Sequence, residues 1–119
     1  MKYSVVFSSK TGNTQQLANA ITSLLPESDL IYFGPPSECA LQADRFYIGF
    51  WTDKGHCNAE IADFLKHLKG KDIFLFGTAG FGGSAEYFKK ILTAVEKYID
   101  SSNTAVSYTH LTLPTTSRV

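Results

Sequence analysis

The stretch YSVVFSSKTGNT, residues 3–14, decides the fold because two kinds of periodicity meet in it. Residues 3–7 form a short apolar, β-branched and aromatic run that stops at serines, which is typical of a strand buried on both faces of a parallel sheet. After Gly12 the apolar residues follow the spacing of one helical face up to Pro26; they are Leu17, Ala20, Ile21, Leu24 and Leu25. The pattern predicts a strand followed directly by an amphipathic helix.

The same strand and helix unit recurs along the chain. Further strands are predicted at 29–33, 46–51 and 72–77, with a short helix inside 35–43. Two longer helical stripes are predicted, one with Ile61, Phe64, Leu65 and Leu68 that ends at Gly70, and one with Phe88, Ile91, Leu92, Val95 and Ile99. This alternation predicts an α/β doubly wound parallel sheet with helices on both faces.

The composition excludes several classes of protein. A hydrophobic fraction of 44% with 18% charged residues is ordinary for one globular domain and favours neither disorder nor a membrane span. Eleven basic and eleven acidic residues cancel without long blocks, which argues against a nucleic-acid surface. Cys39 and Cys57 fit neither a disulfide framework nor a zinc site, so two free thiols and no metal are expected. The polar Ser8 comes too early for a secretory signal, so we expect a cytoplasmic protein.

Three loops are expected to hold a ligand, because ligands of such sheets bind beyond the carboxyl ends of the strands. They are 8–14, 52–56 and 78–83. The first loop combines a helix start, whose N–H groups and dipole favour an anion, with four hydroxyls, one amide and a glycine that permits a tight turn. Neither a Walker loop nor G-x-G-x-x-G is present, so a mononucleotide fits better. The candidate phosphate ligands are Ser8, Ser9, Lys10, Thr11, Gly12, Asn13 and Thr14.

The motif S-x-T-G-N-T at residues 9–14, directly after a first strand, resembles the phosphate loop of the flavodoxin family, which binds flavin mononucleotide (FMN). The resemblance covers residues 2–105 and implies the strand order 2-1-3-4-5. It also implies that the other two loops border the flavin ring. The ring-binding candidates are Trp51, Thr52, Asp53 and Gly55 in one loop, and Thr78, Ala79, Gly80, Phe81 and Gly82 in the other.

The function implied by the resemblance is electron transfer through bound FMN to a redox partner protein. The ring-binding loops look most like a short flavodoxin subgroup that includes proteins accompanying bilirubin reductase. Two alternatives stay open: an FMN-dependent NAD(P)H:quinone reductase, and a flavin-free interaction module that retains the fold. Trp51 is either a ring-stacking or a core residue. His56 and Cys57 either take a redox or proton-donating role or are exposed or helix-capping residues.

The last part of the chain breaks the pattern. Residues 101–119 are rich in Ser and Thr and have neither helical nor strand periodicity. The run 106–116 resembles the translation of a sequencing-library adapter, so we expect a domain at 1–105 followed by a non-native tail at 106–119. On this interpretation the last strand and final helix of the flavodoxin sheet are missing.

Overall fold

Parallel strands form the central sheet in the computed structural model, which describes residues 2–8, 12–53, 56–78 and 85–107. Within these residues the strands are β1 (Tyr3–Phe7), β2 (Leu30–Gly34), β3 (Arg45–Asp53), β4 (His56–Cys57), β5 (Asp72–Thr78) and β6 (Thr104–Ser107). Five of them lie side by side in the order β2-β1-β3-β5-β6, and β4 pairs antiparallel with the end of β3. Without that hairpin strand the order reads 2-1-3-4-5, so the predicted α/β fold is confirmed.

Three helices cover the sheet in the described part of the chain: α1 (Asn13–Ser23), α2 (Ala59–Lys66) and α3 (Ala85–Glu96). Short 3₁₀ turns lie at Glu27–Asp29 and Glu38–Gln42, the second of them inside the segment predicted to hold a short helix. None of the described helices is long and apolar enough to cross a membrane.

The expectation that the last strand is missing is wrong. β6 pairs with β5 in parallel, from Thr104 opposite Asp72 to Ser107 opposite Leu75. The sequence of this segment shows no apolar periodicity, and polar contacts of residues 100–103 position the chain just before it. β5 is therefore covered on both sides and is not the edge of the sheet. The origin of residues 106–119 stays a prediction, and the expected loss of the final helix concerns residues outside the described range.

Polar contacts of residues 100–103 position β6. The Asn103 side chain accepts from the Lys71 backbone N–H at 2.8 Å and donates to the Leu68 carbonyl at 2.8 Å. The Ser102 hydroxyl accepts from the Gly70 N–H at 2.9 Å. Hydrogen bonds from Ser102 and the nearby Lys69 ammonium lower the pKa of the Asp100 carboxyl to about 2. These contacts join segments about 32 residues apart, which local sequence patterns do not reveal.

Two apolar cores lie on opposite faces of the sheet. The larger one holds the fully buried Phe46, Ile48 and Phe50 of β3 against α2 and α3, whose predicted stripes are confirmed at Ile61, Phe64, Leu65, Leu68, Ile91, Leu92 and Val95. The smaller core packs α1 against β1, β3 and β5, with Leu17 and Ala18 buried. One predicted member of the α1 stripe is wrong: Leu24 is 78% exposed, because α1 ends at Ser23 and the helical period no longer applies there.

The absence of a side chain at Gly49 in β3 allows Phe76 and Phe7 to pack closely in the smaller core. A Cβ at this position would lie 2.5 Å from two ring atoms of Phe76 and 3.1 Å from the Phe7 Cβ. Phe76 is fully buried, so its ring has little room to move away. A side chain at residue 49 would therefore push the Phe76 ring away from β3.

We expect Gly49→Ala to lower the free energy of unfolding by about 1–3 kcal/mol, as overpacking of a closed core does. Urea unfolding followed by circular dichroism measures this. Phe76→Leu, introduced into the Gly49→Ala chain, removes the atoms that the new methyl group meets and should recover part of the loss. A Gly49→Ala protein as stable as the parent would contradict the packing described here.

Candidate functional site

The carboxyl ends of β1, β3 and β5 meet at one edge of the sheet. β1 ends with Phe7 opposite Gly49, and β5 ends with Thr78 opposite Trp51. β3 continues to Asp53, beyond both contacts. All three predicted loops therefore start from the same edge, as the switch-point rule for parallel sheets requires.

The first loop is attached at both ends to neighbouring residues of β3. The Ser8 backbone N–H donates to the Gly49 carbonyl at 3.1 Å, which extends the sheet one residue past β1. At the other end the Thr14 hydroxyl, 1% exposed, donates to the Phe50 carbonyl at 3.4 Å. The sheet and the helix thus hold the two ends of the loop next to each other. Thr14 has a backbone partner, and its predicted contact with a phosphate stays a prediction.

Gly12 places the start of α1 at this edge. It is the N-cap residue, its φ of 95° lies in the left-handed region, and no side chain caps the helix there. An ideal Cβ at Gly12 would meet nothing within 4 Å among the described atoms. Glycine is therefore required by backbone conformation rather than by lack of space. The first turn of α1 carries no acidic residue, so the positive end of the helix dipole is not neutralised by its own side chains.

The second loop begins in a β-hairpin, which the sequence did not reveal. Thr52 pairs with Cys57 and Asp53 with His56, so two residues connect β3 to β4. At its base the Trp51 backbone N–H donates to the Asn58 side-chain oxygen at 3.4 Å, and the Asn58 N–H donates back to the Trp51 carbonyl at 3.2 Å. Sequence reasoning missed Asn58, although an asparagine directly before a helical stripe is an N-cap signal. Its side chain closes the hairpin instead of capping α2.

Eight of the predicted site residues lie outside the described residues, so their roles stay predictions: Ser9, Lys10, Thr11, Gly55, Ala79, Gly80, Phe81 and Gly82. For Asn13, Thr52, Asp53 and Thr78 the structure gives the backbone alone. Each of these four lies at the carboxyl-end edge, in the first turn of α1 or at the end of a strand. Trp51 is partly exposed at the end of β3, and ring stacking remains a prediction for it.

An acidic side chain reaches the first loop from α2. The Ser8 hydroxyl donates to the Glu60 carboxylate at 3.0 Å, although 52 residues separate them. Glu60 lies in the first turn of α2 and is exposed. No group of three or more His, Cys, Asp or Glu side chains in the described part of the chain is placed to hold a metal ion. The described part of this edge therefore offers hydroxyl and backbone donors, with the Glu60 carboxylate beside them.

The two cysteines differ in their surroundings. Cys57 is fully buried in the larger core, and its burial raises the pKa of the thiol to about 11. Cys39 is exposed. Because the thiolate is the reactive form, a buried thiol with a raised pKa is poorly suited to redox chemistry. The alternative of an exposed Cys57 is therefore wrong as well, because its side chain packs within the larger core.

We expect the folded protein to show one thiol that reacts with Ellman's reagent at pH 8, and the unfolded protein to show two. Cys39→Ser should abolish the reaction of the folded chain, whereas Cys57→Ser should leave it unchanged, because only Cys39 is accessible. Rapid reaction of Cys57 in the folded Cys39→Ser protein would contradict its burial.

Comparison with known proteins agrees with this geometry. The model of the flavodoxin domain family matches residues 4–110. A flavodoxin-like domain-containing protein BilS from Clostridium symbiosum is 41% identical, with 79% of this chain and 58% of the relative covered. BilS from Clostridioides difficile is 32% identical, with 87% of this chain and 61% of the relative covered. The chain thus spans about three-fifths of the length of these curated relatives.

Solved structures share the fold. A Lactobacillus acidophilus flavoprotein in complex with FMN superposes with a TM-score of 0.67 at 15% identity, covering 89% of this chain and 90% of the other. Oxidised flavodoxin 2 from Bacillus cereus gives a TM-score of 0.62 at 21% identity, covering 90% and 84%. These similarities confirm the architecture of the sheet and its helices.

Proposed function

Since this chain belongs to the flavodoxin domain family, we propose that it binds FMN at the carboxyl-end edge and passes electrons to a redox partner protein. The observation that carries the proposal is the attachment of the first loop to β3. Ser8 on Gly49 and Thr14 on Phe50 hold both ends of a hydroxyl-rich segment at the start of α1. Because both ends of the segment are held by β3, less conformational entropy is lost when a ligand orders it.

The residues present fit a phosphate ester. Among the described atoms nothing occupies the position where a Cβ of residue 12 would project, and the first turn of α1 has no acidic residue. Backbone N–H groups at a helix start, together with hydroxyl donors, form the usual protein environment for a phosphate. The ends of β3 and β5 lie beside this loop, where the ring of a flavin would extend.

When bound, FMN supplies the one- and two-electron chemistry, and this chain would supply binding and orientation. Ser8 and the α1 N-terminus would hold the phosphate, and the β3–β4 hairpin would lie along the ring. Asn58 fixes the base of that hairpin through two backbone contacts of Trp51, so the hairpin keeps its direction relative to the sheet. An exposed free thiol at Cys39 suits a reducing compartment, which supports a cytoplasmic location as part of the proposal.

A matched pair of variants tests the phosphate site. Asn and Asp both tolerate a left-handed conformation and have the same size, so Gly12→Asn and Gly12→Asp differ mainly in charge. We expect the Asp variant to bind FMN at least about tenfold more weakly than the Asn variant, because its carboxylate faces the phosphate. Riboflavin, which has no phosphate, should bind both variants equally. Flavin fluorescence quenching measures the four affinities, and equal FMN affinities would contradict a phosphate at Gly12.

A second experiment tests electron transfer. The full chain, loaded with FMN and chemically reduced, should pass electrons to a haem-protein acceptor. In a separate assay with NAD(P)H and a soluble quinone, the chain should show no steady consumption of NAD(P)H. Steady consumption above that of free FMN would favour the reductase instead. Failure of the chain to take up FMN at all would reject both flavin functions and leave the flavin-free interaction module.

The class of redox partner is a further part of the proposal. The ring-binding loops resemble the subgroup that accompanies bilirubin reductase, so a reductase of a linear tetrapyrrole is the partner that we propose. The near neutral charge of this chain argues against docking that depends on strong electrostatic steering.

A further inference from the structure

We infer that Glu60 competes with the flavin phosphate for the Ser8 hydroxyl and so sets how strongly the site prefers FMN over riboflavin. The inference rests on the proposed function, because it concerns the same site. Its starting point is the 3.0 Å hydrogen bond from Ser8 Oγ to Glu60 Oε1.

The backbone fixes the position of both partners relative to β3. Ser8 is held by its N–H on the Gly49 carbonyl at 3.1 Å. Glu60 follows Asn58, which is bound to Trp51 through its side chain at 3.4 Å and its backbone at 3.2 Å. Gly49 and Trp51 are two residues apart on the same strand. The sheet therefore brings the Glu60 carboxylate to Ser8, the first residue of the loop. The buried side chain of Ile61 keeps α2 in place.

The Ser8 hydroxyl has one proton to donate. If a phosphate oxygen accepts it, the Glu60 carboxylate loses its hydrogen bond and lies within roughly 6 Å of the phosphate, the sum of two such bonds. A phosphate ester near neutral pH carries about 1.5 to 2 negative charges, so it repels the carboxylate across this distance. Both effects weaken phosphate binding and leave the affinity for the flavin ring unchanged.

The selectivity for FMN is therefore a balance between opposing charges. The dipole of α1 and the Ser8 hydroxyl attract the phosphate, and Glu60 on α2 opposes them. Free inorganic phosphate, which gains nothing from a ring site, should be excluded more effectively than FMN. A single carboxylate on a neighbouring helix thus tunes which form of the flavin occupies the site.

The test is a comparison of FMN, riboflavin and inorganic phosphate binding by the full chain and its Glu60→Gln variant. We expect Glu60→Gln to bind FMN about three- to tenfold more tightly, with riboflavin affinity unchanged and phosphate affinity raised. The gain in FMN affinity should shrink in high salt, where exposed charges are screened. Fluorescence quenching measures flavin binding, and calorimetry measures phosphate binding.

Asp63→Asn is the matched control. Asp63 is an exposed carboxylate one turn further along α2, so its removal changes the net charge equally without touching Ser8. It should leave the ratio of FMN to riboflavin affinity unchanged. Circular dichroism checks that α2 persists in both variants, because an acidic residue in the first turn also stabilises the helix.

The outcomes separate the two proposals. If the parent chain binds neither flavin, the proposed function fails. If the parent binds FMN but Glu60→Gln leaves the FMN to riboflavin ratio unchanged, the contact is a plain surface hydrogen bond and the inference is wrong. Weaker FMN binding by Glu60→Gln would mean that Glu60 orients Ser8 for the phosphate, which also overturns the inference.

Discussion

The pairing of β3 with β1 on one side and β5 on the other is the constraint on which the rest of the structure depends. Parallel pairing from Arg45 to Trp51 places the carboxyl ends of three strands at one edge. The carbonyls of Gly49 and Phe50 then accept from the two ends of the first loop. The same strand thus sets the register of the sheet and holds both ends of the first loop. A shift in the register of β3 would therefore move the candidate site as a whole.

The packing around β3 is unequal on its two faces. One face presents large side chains, among them Phe46 and Phe50, to α2 and α3. The other face has Gly49 where the Phe76 ring crosses, which lets α1 lie close to the sheet. The absence of a side chain at Gly49 thus contributes to the position of α1, together with the apolar residues of the smaller core. The position of α1 in turn determines where its N-terminus meets the first loop.

Polar contacts between distant segments complete the frame. At one end of the sheet, Asn103 joins Leu68 and Lys71 and so positions β6. At the carboxyl-end edge, Asn58 joins α2 to β3, and Glu60 reaches Ser8 from the same helix. Apolar burial supplies most of the driving force for folding, whereas these directed bonds fix which loop faces which helix.

The sequence by itself determined the alternation of strands and helices and the three loops at the carboxyl-end edge, because local periodicity marks which side chains must be buried. Only the tertiary structure decided that β6 exists, that Leu24 is exposed, and that Asn58 and Glu60 belong to the site. These features depend on backbone and polar contacts between residues brought together by the sheet, and a local window of sequence carries no record of them.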